Sequence, residues 1–264
     1  MQEPIPGVQL IAPEPLREAD LLTVHDAAYV RAIRTGEPRD LAESQRFTWD
    51  PGLWPMVLAS NGGAVAAALA ARKDGVAGSL SSGLHHARRH RGHGYCTFNG
   101  LVLAALAALQ AGARSVLILD LDAHCGGGTA RIIAAAPRIW QVDVSVCRFD
   151  AFEPSTRCWA EMVARAEDYL PLIERLLDRA GGEGPGFDLC LYNAGMDPHQ
   201  HSDGGLRGID EDILAQREQL VFSWCRERGL PVAFVLAGGY LSRRLSQERL
   251  VNLHRLTVAA AAMG

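Results

Sequence analysis

Ser115-Val-Leu-Ile-Leu-Asp120 decides the fold. Its interior is apolar at every position, with none of the alternation of a half-exposed strand. That is the mark of a parallel strand covered on both faces. It runs straight into a polar, glycine-rich segment, Asp120-Leu-Asp122-Ala-His124-Cys-Gly126-Gly-Gly128. Similar short runs lie at Val76–Ser81, Arg138–Val146, Phe187–Tyr192 and Pro231–Leu236. Helical patterns fall between them. One spans Gly100–Ala111 behind the turn residue Asn99. A second begins near Asp168, with Pro171 in the first turn, where proline is tolerated. A third runs from the capping residue Asp210 to Arg228, and the last covers Gln247 to Ala262. The Pro-rich first 50 residues hold one further helix, around Asp26–Arg34. Gly181–Gly186 reads as a helix-to-strand loop. This alternation predicts an α/β fold in three layers: a mainly parallel sheet with helices on both faces. No repeat or linker divides the chain, so a single domain over residues 1–264 is expected.

The composition narrows the function classes. At 264 residues the chain makes one large domain or two small ones, by the prior of about 150 residues per domain. With 48% hydrophobic and 21% charged residues it is globular, which excludes disorder. The 26 basic against 30 acidic residues give −4, without the cationic surplus that a nucleic-acid grip needs. The one basic run, Arg88-Arg89-His90-Arg91, reads as a solvated turn. The longest apolar stretch, Leu101–Leu109, falls short of the ~20 residues that cross a bilayer, so no membrane association is expected. The N-terminus lacks the pattern of a secretory signal, which predicts a cytoplasmic protein. Six scattered cysteines without a C-x-x-C pair fit buried thiols in a reducing compartment.

Open α/β sheets bind ligands beyond the carboxyl ends of their strands. After Val76–Ser81 comes His85-His86. After Ser115–Asp120 come Asp122 and His124, after Phe187–Tyr192 comes Asp197, and after Pro231–Leu236 come Gly238-Gly239-Tyr240. In an extended chain Asp120, Asp122 and His124 share one side. With Asp197 they can surround one cation and leave a position open, as a catalytic zinc site does. Such an ion acidifies water and polarises a carbonyl. The plainer account is that the aspartates cap a turn; their neighbours at other strand ends favour the metal. His85-His86 suits proton transfer near neutral pH. His90 and His93 read as loop residues, and so do His199 and His201, which also lie near enough to Asp197 to be alternative ligands. Tyr240, behind two glycines, can donate to a developing oxyanion, or simply pack at a turn.

The segments SGLHHARRHRGHGYCTFN (82–99), VLILDLDAHCGGGTA (116–130), LYNAGMD (191–197) and LAGGYLSRR (236–244) resemble the signature blocks of the histone deacetylase superfamily, which includes bacterial acetylpolyamine amidohydrolases. The spacing, and the tail Asn252-Leu-His-Arg-Leu, are most similar to its class IV-like and bacterial branch. The resemblance covers roughly residues 20–262. It implies an arginase–deacetylase fold and hydrolysis of an acylated amine by one zinc ion, with ferrous iron as the other candidate. It makes Asp122, His124 and Asp197 the metal ligands and His85 and His86 the paired histidines, with His86 the general acid/base. Asp120 supports His85 and Tyr240 polarises the carbonyl. Tyr95 and Phe152 form the facing walls of the acyl tunnel, beside Gly94, Gly238 and Gly239. Backbone groups of Asp120, Asp122, His124, Ser145 and Val146 match a structural potassium site.

The chain departs from that family in three places. Gly127 stands where the family has Asp or Asn, so the group that orients His86 is missing from its usual position. A water or another side chain must replace it, or His86 is less basic. The first strand and helix of the fold are expected to be shortened or absent. Cys125 replaces a His or Gln, which should be a mild change. The leading expectation is a deacylase acting on an acyl-lysine, a polyamine or a small acylated metabolite. Glu153 near the rim would favour a cationic substrate. An acyl-ligand binder without turnover is the alternative. A binuclear ureohydrolase is disfavoured, because Gly126 stands where it would need a carboxylate.

Overall fold

The computed structural model describes residues 4–263. Three helices open the fold: α1 (Glu18–Leu21), α2 (Ala27–Thr35) and α3 (Arg39–Ala42). The long α4 (Leu53–Asp74) leads into β1 (Val76–Ser79), and a loop carries the chain to α5 (Gly100–Gln110). Then follow β2 (Val116–Asp120), α6 (Gly127–Ile133), β3 (Ile139–Ser145) and β4 (Cys158–Met162). The last third is α7 (Tyr169–Glu183), β5 (Leu189–Ala194), α8 (Glu211–Glu227), β6 (Val232–Leu236) and α9 (Gln247–Ala262).

All strand pairings are parallel, in the order β1-β6-β5-β2-β3-β4. Successive residues of each strand face opposite layers. Val116 and Ile118 of β2 join the core under α2, α4, α5 and α6. Leu117 and Leu119 join the other core, under α7, α8 and α9. Both cores are apolar, which is why the strands read as unbroken apolar runs. The result is the three-layer α/β architecture that the sequence predicts.

The chain steps outward from β2 through β3 to β4, then returns to β5 on the other side of β2. The carboxyl ends of β2 and β5 therefore flank the switch point, where open sheets place their ligand crevice.

Several elements differ from expectation. β4, α6 and most of α4 were not legible, and α7 runs through Gly181 and Gly182 to Glu183. At 22 residues α4 is long and apolar enough to cross a membrane by length and composition. Counting uninterrupted apolar residues missed it, because Ser60 and Asn61 break the run. In the fold α4 lies against α5, β1 and β6, with Val57, Ala64, Ala67, Ala68 and Ala71 buried in the core. Its composition is that of a central packing helix.

Candidate active site

Past β2 the chain stays extended to His124. Leu121 donates its N–H to the Asn193 carbonyl (3.2 Å), and Val146 and Cys147 both donate to the Ala123 carbonyl (2.9 and 2.8 Å). Past β5, Gly195 lets the backbone pass close by: a Cβ there would lie 2.6 Å from the Asp122 Cα. Met196 and Asp197 then donate their N–H groups to the Gly238 carbonyl (2.6 and 3.2 Å), at the end of β6. Four strand ends, those of β2, β3, β5 and β6, are thus tied together by backbone hydrogen bonds.

Ligand-type atoms of Asp122, His124 and Asp197 consequently lie within 4.8 Å of one another. His124 Nδ1 is 3.1 Å from Asp122 Oδ1 and 3.0 Å from Asp197 Oδ2. The second contact is an ion pair without hydrogen-bond alignment, so the fully buried Asp197 Oδ2 has no hydrogen-bond donor. A buried carboxylate oxygen in that state is costly unless a cation meets it. The remaining oxygens are held from behind: Ala123 N–H donates to Asp197 Oδ1 (2.9 Å) and Gly238 N–H to Asp122 Oδ2 (2.9 Å). The concavity is closed by Gly238, where a Cβ would lie 2.4 Å from carboxylate oxygens of both aspartates. Two carboxylates, one imidazole and an orphaned oxygen around one point fit a divalent cation that accepts N and O donors. Without a cation, a proton serves instead. Burial opposes charge on His124, but Asp122 and Asp197 outweigh it and raise the ring to about 10. Burial and the nearby Asp122 push Asp197 up to about 7. The charged His85 and His124 outweigh burial at Asp122 and hold its carboxyl well below the usual range.

The two adjacent histidines come from the loop after β1. The side chain of Asn99 caps α5 by accepting from Val102 N–H (3.0 Å) and donates to the His85 carbonyl (3.3 Å). Gly128 allows this loop to lie against α6, since a Cβ there would be 2.4 Å from the His86 carbonyl carbon. His85 Nδ1 faces Asp120 Oδ2 at 2.8 Å, and Asn193 Nδ2 donates to Asp120 Oδ1 (2.8 Å). His86 Nδ1 faces Asp150 Oδ2 at 3.2 Å. The two Nε2 atoms converge, 3.1 Å apart. Burial disfavours charge on both rings. At His85, Asp120 and Asp122 overcome it and raise the ring to about 10. At His86, burial and the charged His85 prevail and lower it to about 4. In the metal-free site the two rings are thus pushed in opposite directions, His85 toward the protonated and His86 toward the neutral form.

Gly94 (φ +50°) and Tyr95 (φ +62°) form a left-handed turn beside His86. A Cβ at residue 94 would meet the His86 ring at 2.7 Å and the Phe149 ring at 2.8 Å. Phe149 stands edge-on to His86 (4.9 Å between ring centroids) and to His124 (5.9 Å), and stacks on His93 (5.1 Å, 12°). Tyr95 is exposed, 5.5 Å from the Phe47 ring. Tyr240 is also exposed, edge-on to His124 at 6.0 Å, with its backbone N–H on Ser202 Oγ (3.1 Å).

Phe152, expected opposite Tyr95, packs against the α4–α6 core, and Phe149 takes the place beside Gly94. His93, read as a plain loop residue, stacks on Phe149. Arg88, read as solvated, donates to Asp150 Oδ1 (3.0 Å). His199 and His201 face each other at 5.2 Å and stand outside the ligand group among the described residues. Ser145 and Val146 run beside Asp122–His124, where a parallel bridge joins His124 to Cys147. Sequence reading missed Phe149, Asp150 and Asn193. Phe149 and Asp150 follow β3 as the other site residues follow their strands; inspecting that strand end as well would have found them.

A histone deacetylase domain is matched over residues 1–255. An uncharacterized protein of Picosynechococcus sp. is 31% identical over 260 residues, covering 96% of this chain and 85% of that one. Histone deacetylase 2 of Arabidopsis thaliana is 26% identical over 262 residues, covering 93% and 67%. Among solved structures, an acetylpolyamine aminohydrolase from Burkholderia pseudomallei superposes with a TM-score of 0.74 at 21% identity, over 96% of this chain and 83% of that one. It shares the arginase–deacetylase fold. With the domain matched along nearly its whole length, the chain belongs to the histone deacetylase family.

Proposed function

We propose that the protein is a zinc-dependent amidohydrolase that removes an acetyl or longer acyl group from an amine, on a lysine side chain, a polyamine or a small metabolite. The observation that carries this reading is the convergence of Asp122, His124 and Asp197 beside two His–Asp pairs, from strand ends far apart in sequence. Those three residues would hold the zinc, or ferrous iron in its place. When bound, the ion supplies Lewis acidity toward a carbonyl and lowers the pKa of water. The neutral His86 accepts a proton at Nε2 and returns it to the departing amine. His85, held at Nδ1 by Asp120, backs His86 with its Nε2 3.1 Å from that of its neighbour. Tyr240 donates its phenolic hydrogen to the carbonyl oxygen, an interaction that strengthens as negative charge develops there. Gly94, Tyr95 and Phe149 flank the acyl chain, and Gly238 and Gly239 allow close backbone approach. The backbone of Asp120, Asp122 and His124, with Ser145 and Val146 alongside, would hold a structural potassium ion. The substrate class is supported by the family match and by the name of the structural relative, an acetylpolyamine aminohydrolase.

Metal analysis coupled to an acyl-chain-length panel tests this reading. The parent protein should carry about one zinc per chain and hydrolyse at least one acylated lysine peptide or polyamine. Asp122→Ala should lose metal and turnover together. An active, metal-free Asp122→Ala would refute the assignment, whereas zinc without turnover across the panel would favour an acyl-ligand binder.

A further inference from the structure

We infer that Asp150 is the positioning residue for His86, doing from the loop between β3 and β4 what the family's Asp or Asn does from residue 127, and that Gly127 is the space this exchange requires. The rate arm of the test below rests on the deacylase reading; the spectroscopic arm does not. Three observations support the inference. The Asp150 carboxylate, with no side-chain exposure, meets His86 Nδ1 at 3.2 Å through Oδ2. Its other oxygen accepts from Arg88 Nη2 and Arg131 Nη1, both at 3.0 Å. Burial opposes its charge, but the His86 contact first and the Arg131 and Arg88 guanidiniums after it hold the carboxyl below its usual pKa.

The backbone is shaped for the same contact. Asp150 has φ +56°, a conformation uncommon outside glycine, asparagine and aspartate. Residue 127 must then be glycine. A Cβ there would lie 2.1 Å from the Asp150 carbonyl oxygen, 2.3 Å from Arg131 Nη1 and 2.8 Å from the Asp150 carboxyl carbon. A carboxylate at 127 and the Asp150 turn thus exclude each other. Arg131, one turn further along α6, spans from the helix to the carboxylate that has replaced the helix's own.

A carboxylate on Nδ1 fixes the tautomer. With Nδ1–H donating to Asp150, the Nε2 lone pair of neutral His86 is left facing His85 and the ligand group. Without it the ring can flip or carry its proton on Nε2.

The test uses the full chain loaded with zinc. Long-range 1H–15N spectra of histidine-labelled protein, assigned through His86→Gln, should show His86 as the Nδ1–H tautomer in the parent. In Asp150→Ala that pattern should be lost, and kcat on a substrate turned over by the parent should fall about 100-fold, with KM changed less than about 3-fold. Asp150→Asn separates positioning from structure. It keeps an acceptor for Nδ1–H but gives up the ionic contacts with Arg88 and Arg131. It should therefore restore the tautomer and most of kcat, even where its melting temperature drops as far as that of the alanine variant. A parent His86 in the Nε2–H form, or an asparagine variant as slow as alanine, overturns the inference. If no acylated amine is turned over, the deacylase reading fails while the tautomer measurement still decides the role of Asp150.

Discussion

Gly238 carries no functional group, yet the site depends on its lacking one. An added methyl would lie 2.4 Å from Oδ2 of both Asp122 and Asp197. Gly238→Ala should push the two carboxylates apart and weaken zinc binding by at least about 10-fold, the scale on which groups behind a metal ligand act. Titration with a chelating indicator measures this directly, and a variant that binds zinc as well as the parent would show that the cradle adapts. The fold should survive, because Gly238 lies in a loop past the end of β6 rather than in the sheet. Asp150 teaches a related lesson. Its role rests on contacts with residues 86, 88 and 131, separated from it by 64, 62 and 19 positions. Its place past β3 is as legible as that of Asp122 past β2, but no local pattern of charge or periodicity shows which side chains it meets.

Among the elements, α5 shows how one polar side chain joins secondary structure to chemistry. Asn99 caps the helix through its oxygen, and its amide nitrogen donates to the His85 and Ala87 carbonyls and to Thr129 Oγ1. Asn99→Ala should lower stability by about 2 kcal/mol, from the lost cap and the buried acceptors left unmet; urea denaturation measures it. It should also loosen the loop that presents His85. Elements with a single strong signal were legible from sequence. β2, β5 and β6 are apolar on both faces, and α5, α8 and α9 begin at Asn99, Asp210 and Ser246, whose side chains accept from the first turn. What escaped lacked such a signal. β4 is an edge strand whose later residues are only partly buried. α6 opens on two glycines, and α4 buries Asn61, Gly62 and Gly63 amid its alanines, which blurs any apolar stripe.

At the scale of the molecule, the fold holds a charged pair deep under the site. Arg217 and Glu218 of α8 are fully buried; Arg217 Nη1 donates to the Gly195 carbonyl (2.7 Å), and Tyr192 donates to Glu218 Oε1 (2.8 Å). Arg217→Met should cost about 3–5 kcal/mol by stranding Glu218, and Arg217→Met with Glu218→Leu distinctly less; calorimetry of both variants separates the two. Stability should also depend on pH from both sides in the metal-free protein. Burial lowers His25, whose ring bridges the Arg88 carbonyl and Asn99 N–H, to about 4, and likewise His199 and His254. The folded state then binds fewer protons than the unfolded one, so stability is complete above the ordinary histidine value of about 6.5 and is lost as pH falls toward 4. His85 and His124, raised to about 10, act in the opposite sense: their contribution is full below about 6.5 and drains away as pH rises through 10. A calorimetric series from pH 4.5 to 10 (about 0.5 apart) should give a maximum between these limits, and a melting temperature that is flat across it would contradict the assigned protonation states. Finally, Val76 pairs with Val232, so among the described strands the earliest in sequence has the latest as its sheet neighbour. On a chain leaving the ribosome, β1 must wait for β6 before it gains that neighbour. The pocket, which needs the Gly238 carbonyl past β6 to hold Asp197, closes only when that late strand has docked between β1 and β5.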